Sequence, residues 1–306
     1  MILIAGGTGR LGSVLAARLT GRGLAVRVLT RVPARADHLG APGIEVAAGD
    51  VRDRASLDAA VRGADVVVSA IHGFTGPRGT SPASIDYQGN VSLIDAARAA
   101  GAQFVLMSVV GAAADSPMEL FRMKHAAEQH LLRAAADDWT IVRATAFLEL
   151  WIDVLAKTAA RSGRPVVFGR GDNPVNFVSV MDVAELVEQA VTDQRSRGRV
   201  LEIGGPDNLS FNQLAAAIQR TAGRPEAPRH VPRLALRLMA RSARYLKPDL
   251  GRQARAALVM DQADFRFDPT AIRQAYPGVS CTSLDMCLRQ SAAAAPAALR
   301  RIDVTE

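Results

Sequence analysis

The residues Gly6-Gly7-Thr8-Gly9-Arg10-Leu11-Gly12 carry the spacings GxxGxxG and GxGxxG at once. They follow directly on the apolar run Ile2-Leu3-Ile4-Ala5 and open a stretch, 11–22, with helical periodicity. A strand that turns sharply into a helix leaves the first N–H groups of that helix without main-chain acceptors, and an anionic pyrophosphate satisfies them. The chemistry on offer is therefore phosphate capture by backbone. Gly6 lets the chain turn, Gly9 lets the backbone approach a phosphate, and Gly12 permits close helix–strand packing. Thr8, Arg10 and Leu11 share the turn and are candidate contacts. The expected ligand is a dinucleotide.

Its type should be decided at the end of the second strand. An acidic residue there would bond an adenosine ribose and repel a 2′-phosphate. This chain has Thr30-Arg31 instead, with Arg35 close behind. Guanidinium groups pair with phosphate through parallel donors. The reading is NADP(H) in preference to NAD(H), with NAD(H) still possible. Asp50, in Gly49-Asp50-Val51-Arg52-Asp53, can accept from the adenine amino group while Val51 supplies backbone and apolar contact. The competing role for Asp50 is to cap the turn that follows.

The elements that must hold these residues alternate regularly. Strands are expected at 2–5, 25–30, 44–47, 66–68, 104–107 and 139–143. Helices are expected at 11–22, 56–62 (with Asp53 as N-cap), 84–100 and 117–136. Val66-Val67-Val68 is continuous and β-branched, as a strand covered on both faces should be. Such βα repetition predicts an α/β fold: a Rossmann-type doubly wound parallel sheet with a smaller, partly helical C-terminal substrate lobe. Residues 1–146 form the nucleotide-binding core in this reading. Residues 147–306 are mainly lobe, with segments at about 175–205 returning to the core. Helices are expected at 147–160, 182–191 and after Ser210, and short strands at 165–168, 176–179 and 200–203. The Ala-rich stretch 292–298 is a helix or a loose tail.

Composition narrows the function classes. Hydrophobic residues make up 49% of 306, enough for a substantial core, and 22% are charged, so a disordered chain is excluded. The formal charge is +7. Much of the excess lies in 221–306, where 14 Lys or Arg face 8 Asp or Glu. These bases are spaced along helices and not interleaved with aromatics, so no nucleic acid partner is expected. Cys281 and Cys287 form no CxxC pair and have no histidine beside them, so no metal site or disulfide framework is expected. No charged leader precedes the first strand and no apolar run approaches a membrane span, which predicts a cytoplasmic protein with reduced thiols.

The motifs as a set resemble an atypical short-chain dehydrogenase/reductase of the NmrA-like, NAD(P)H-binding type. They are Gly6 to Gly12, Val28-Leu29-Thr30-Arg31, Gly49 to Asp53, Asp86-Tyr87-Gln88-Gly89-Asn90, Ser108-Val109-Val110-Gly111, Lys124, Arg143 to Phe147, and Asn176 to Ala184. The likeness covers about residues 1–205. It implies that the loop Ser69-Ala70-Ile71-His72-Gly73 runs along the cofactor, with Ala70 and Ile71 in contact. It also implies that Ser108 lies near the nicotinamide, that Lys124 bonds the nicotinamide ribose, and that Ala144 to Phe147 flank the ring. One departure is plain: the broader superfamily uses Tyr-x-x-x-Lys, and Leu120 stands four residues before Lys124. Leucine cannot exchange a proton.

Chemistry must then proceed with what remains. Ser108 can donate to a developing oxyanion or simply cap its strand. Lys124 can lend electrostatic support or a proton. His72 is a candidate substrate-side donor, whereas His125 and His130 are poorly spaced to share a metal. Asp172 reads as structural, and Tyr87 as helix packing. Phe147, Leu150 and Phe168 line an apolar pocket or belong to the core. Two functions stay open. One is an NADPH-dependent reductase passing hydride to a small apolar or aromatic acceptor: a quinone, an activated enone or a carbonyl. A quinone needs no dedicated tyrosine acid, because its product oxyanion is delocalised. The other is a catalytically silent NADP(H)-sensing regulator or scaffold with a protein partner.

Overall fold

The computed structural model describes residues 1–39, 43–75, 79–134, 138–224 and 226–294. Strands β1 (Ile2–Ala5), β2 (Val26–Thr30), β3 (Ile44–Ala48), β4 (Val66–Ser69), β5 (Gln103–Val109) and β6 (Trp139–Ala144) alternate with helices. Those helices are α1 (Arg10–Gly21), α2 (Arg54–Ala60), α3 (Asn90–Ala99) and α4 (Glu119–Ala134), while a 3-10 segment at Pro33–Leu39 lies between β2 and β3. With Arg199–Ile203, a late strand numbered β10 below, they form one seven-stranded sheet in the order β10-β6-β5-β4-β1-β2-β3. Every pairing in it is parallel. The fold class read from the sequence is the one observed.

Both faces of the sheet are covered, which is why its strands are apolar without alternation. On one face Leu11, Leu15 and Leu19 of α1 recur every fourth residue and pack with Ile4, Val28 and Val68. On the other, Leu57 of α2, Leu93 of α3 and Leu131 of α4 pack with Leu3, Val67 and Leu106. Asp53 caps α2 by accepting from Ala55 N at 3.1 Å. The helix expected at 84–100 is in two parts: a wider π-type turn at Pro82–Gly89 that runs straight into α3.

After β6 the chain builds a lobe from β7 (Ala146–Phe147), α5 (Leu148–Ser162), β8 (Val166–Phe168) and β9 (Pro174–Val178). It then returns to the sheet. Helix α6 (Val180–Thr192) packs beside α1, and β10 pairs with β6. Arg18 of α1 lies 2.8 Å from Glu188 and 3.2 Å from Glu185, tying the two helices together. The remaining elements are β11 (Asn208–Ser210), α7 (Phe211–Thr221), β12 (Arg229–Val231), α8 (Arg233–Leu246), α9 (Pro248–Met260), α10 (Thr270–Ala275) and α11 (Leu284–Ala294). Ser210 and Gln213 form a reciprocal cap at the start of α7. Residues 295–298 of the Ala-rich stretch lie outside the described residues.

The lobe has its own core, in which Trp151 meets Phe211 edge-on with ring centroids 4.7 Å apart. Asn176 of β9 joins lobe to sheet: its Oδ1 accepts from Gly205 N at 2.8 Å and from Thr145 Oγ1 at 3.0 Å. No described helix is long and apolar enough to cross a membrane, and no described cluster of His, Cys, Asp and Glu could hold a metal.

Candidate active site

The sheet changes direction at β1. The chain moves outward to β2 and β3, then crosses back to β4 on the other side. The strand order thus reverses between β1 and β4, and the carboxyl ends of these two strands are where the ligand crevice lies in sheets of this type. The turn from Gly6 to Gly12 forms one wall. Gly9 N donates to Gly6 O at 2.9 Å, and Gly9 O accepts the first bond of α1 from Ser13 N at 2.9 Å. Helix α1 opens with no side-chain cap and no acid in its first turn, so nothing competes with an anion for its N–H groups.

The glycines have distinct jobs. Gly6 has φ +83, and a Cβ there would lie 2.7 Å from Ala70 O, so the glycine turn and the loop after β4 touch at this point. A Cβ on Gly12 would fall 2.3 Å from Gly6 O and 2.6 Å from Gly7 Cα. One on Gly9 would meet only Gly6 O, at 3.1 Å, with no other contact within 4 Å. These are the spaces a pyrophosphate and a close helix start require.

Around the turn, Thr8 is half-buried and Leu11 buried. Arg10 reaches across to Asp153 of α5 at 2.6 Å. Beyond β2, Arg31 and Arg35 are exposed and form no ion pair or side-chain hydrogen bond among the described residues. They are free to meet a phosphate. Asp50 is already engaged: Arg52 Nη2 donates to it at 2.6 Å and Arg52 N at 3.0 Å. That pairing holds the Asp50 carboxyl below its usual range, against a smaller opposing effect of burial. The turn-capping role is thus filled, and Val51 beside it is buried.

Deeper in the crevice lies a closed polar network. Lys124, on α4, is buried, and its Nζ donates to the carbonyls of Ile71 at 3.1 Å and Met107 at 3.0 Å. The same Nζ lies 3.1 Å from Oδ1 of Asp86, a charge contact that falls short of hydrogen-bond geometry. Asp86 is fully buried and its Oδ2 accepts from Gly73 N at 2.9 Å. Its main-chain oxygen accepts from Asn90 Nδ2 at 2.8 Å, and Asn90 Oδ1 accepts from Ser69 Oγ at 2.5 Å. The network fastens the loop after β4 to the end of β5. Two of the three Lys124 donors go to main-chain carbonyls, and the charge faces Asp86.

Ser108 is buried at the end of β5, and its Oγ has no partner among the described residues. An orphaned hydroxyl buried near the carboxyl end of a strand fits a bound group that supplies the missing bond. His72 keeps an open side to solvent, and its Nδ1 accepts from Phe74 N at 3.3 Å. Lost hydration holds its imidazole below the ordinary value. Asp86 opposes this, while Lys124 and Arg252 reinforce it. Arg252 comes from α9, is buried, and donates to Phe74 O at 3.3 Å, so the lobe touches the crevice loop directly. Ala144 is buried at the end of β6, and Phe147 is half-buried against the sheet core. Arg143 is structural, paired with Glu128 at 2.6 Å and Glu202 at 3.1 Å.

Residues 1–246 match the NmrA-like family. The chain belongs to that family. It is 31% identical to the NAD(P)H azoreductase of Xenophilus azovorans over 226 residues, which is 74% of this chain and 75% of that protein. It is 27% identical over 227 residues to quinone oxidoreductase 2 of Escherichia coli, covering 73% and 75% of the two chains. Among solved structures it resembles the NADPH-dependent quinone oxidoreductase from Escherichia coli complexed with NADPH. That match has TM-score 0.76 at 23% identity, over 95% of this chain and 99% of the other. Citrobacter sp. triphenylmethane reductase complexed with NADP(H) has the same fold, with TM-score 0.76 at 18% identity over 95% and 100% of the chains.

In this NmrA-like chain the glycine turn, Ala70, Ile71, Ser108, His72 and Ala144 sit on loops or strand ends at one end of the sheet, and Lys124 reaches the carbonyls of Ile71 and Met107 from helix α4. Three other residues went unassigned in the sequence: Asp86, Asn90 and Arg252. The first two carried a signal, being four apart on one helical face, where a buried lysine would need a counter-charge. Arg252 carried none, because its helix lies far along the chain. Of the three candidate pocket residues, Phe168 borders an apolar depression in the lobe with Trp151, Leu155, Phe211 and Met260. Leu150 is exposed. No residue of the glycine turn or the Lys124 network borders that depression.

Proposed function

We propose that this chain is an NADPH-dependent reductase that passes hydride to a small, apolar, electron-poor acceptor, with a quinone as the leading class. One observation carries the reading: an open phosphate cradle and an orphaned Ser108 hydroxyl flank a buried Lys124–Asp86 pair, with Leu120 where a proton-donating tyrosine would stand. A bound dihydronicotinamide supplies the hydride. The protein's own part is positioning. The N–H groups at the start of α1 and the side chains of Arg31 and Arg35 hold the phosphates. Thr8, Val51, Ala70, Ile71 and Phe147 line the remainder of the cofactor path. The Lys124 network fixes the loop from Ile71 to Gly73, so the space above the reacting carbon keeps its shape. Ser108 donates to the acceptor's developing negative oxygen, and His72 holds or gives a proton at the open side.

The names of the similar proteins, an azoreductase and a quinone oxidoreductase, support this acceptor class. Such acceptors delocalise the charge they receive, so solvent can complete protonation. The test is NADPH oxidation against a panel of quinones, azo dyes, enones and aldehydes. Turnover is expected with quinones or azo dyes and at most weak turnover with simple aldehydes. Tight NADPH binding with no turnover across the panel would replace this reading with the silent, cofactor-sensing one, which Leu120 favours.

A further inference from the structure

Between Glu226 and Asp249 the chain holds six basic residues, Arg229, Arg233, Arg237, Arg241, Arg244 and Lys247, and no acidic one. Most of that segment is α8. Its inner side, with Leu236 fully buried, packs along α9. Its outer side is unusual. Leu234 is 67% exposed and Leu238 59% exposed, and Arg237 and Arg241 are exposed beside them. Positions three, four and seven apart lie on one helical face, so the two leucines and two arginines form a single row. Arg233 is held 3.3 Å from Asp261, whereas Arg237 and Arg241 make no ion pair among the described residues.

Large aliphatic side chains standing in water beside unpaired guanidinium groups are the pattern of a helix lying in a lipid–water interface. The leucines enter the acyl boundary and the arginines meet anionic headgroups. We propose that α8 docks this protein on anionic lipid surfaces. A second copy of the same face would set arginine against arginine with no acid to separate them. A projecting row also suits a deformable surface, which needs no complementary groove. Helix α8 packs on α9, which carries Arg252 to the Phe74 carbonyl, so α9 links the docking helix to the loop that holds His72. If the reductase reading holds, apolar acceptors dissolved in that lipid become its substrates.

The experiment is co-sedimentation of the full chain with phosphatidylcholine vesicles, with and without about 30% phosphatidylglycerol. Binding is expected only to the anionic vesicles and should vanish in about 0.5 M salt. Arg237→Gln/Arg241→Gln should lower the partition coefficient about 25-fold, roughly fivefold per arginine. Leu234→Gln/Leu238→Gln should lower it about tenfold or more. Both variants should melt at the wild-type temperature. Equal binding to neutral vesicles, absence of binding, or indifference to both variants would overturn the proposal. So would a dimer that the leucine variant dissolves, or binding to polyglutamate without binding to vesicles. Failure here with quinone turnover intact leaves the reductase reading standing, and vesicle binding without turnover does the converse.

Discussion

Removing the ammonium group of Lys124 tests whether the buried network is held by charge. Lys124→Met keeps the length of the side chain and deletes the cation. Asp86, fully buried, then keeps one N–H partner, Gly73, and loses its counter-charge. Breaking a buried pair from one side costs about 3–5 kcal/mol, because the remaining charge is left uncompensated. The carbonyls of Ile71 and Met107 each lose a donor as well, at about 1 kcal/mol apiece. Adding Asp86→Asn removes the stranded charge while retaining an acceptor for Gly73. The double variant should therefore recover about 2 kcal/mol relative to Lys124→Met alone. Urea midpoints at neutral pH for the wild type, both single variants and the double variant close the cycle. A cost below about 1 kcal/mol for Lys124→Met, or additivity within about 0.5 kcal/mol, would refute the reasoning.

Other consequences are measurable in parallel. Arg31→Ala removes a charge-assisted bond to a 2′-phosphate and should raise the NADPH dissociation constant about tenfold, leaving NADH unchanged; equal effects on both cofactors would dismiss the role. The depressed His72 imidazole means the unfolded chain takes up a proton more readily than the folded one. Stability should thus be fully present above about pH 6.5 and fall as pH drops from there toward the lower native value. His72→Gln should flatten that part of the profile, read as urea midpoints against pH. Cys287 is buried, and its thiol is pushed up to about 12 by burial and by Glu149, while Cys281 is exposed. A thiol reagent should therefore label only Cys281 in the native chain and both cysteines in urea.

What the sequence disclosed and what it withheld follow from how local each signal is. The glycine turn is local: strand, turn and helix start are contiguous, and the backbone does the work. Continuous apolar strands such as Val66 to Val68 declare burial on both faces. Arg31 and Arg35 could be singled out because the reading needs only the end of one strand, and both are exposed there. Lys124 was legible as a residue but not as a network, because its partners come from positions 71, 86 and 107 on three separate elements. The contact of Arg252 with the loop at Phe74 spans 178 residues and leaves no mark in either segment. Asp50 shows a further local feature that the motif did not disclose: Arg52, two residues on, donates to its carboxylate.

The return of the chain to its own sheet sets a limit on dissection. Helix α6 covers α1, and β10 closes the open side of β6, yet both come after the lobe has begun. Cutting at residue 146 would uncover the side of α1 that α6 covers and an unpaired strand edge on the fragment that carries the glycine turn. Neither half should survive alone. Grafting a new lobe onto this framework would have to be done by replacing inserted loops and not by swapping one terminus for another.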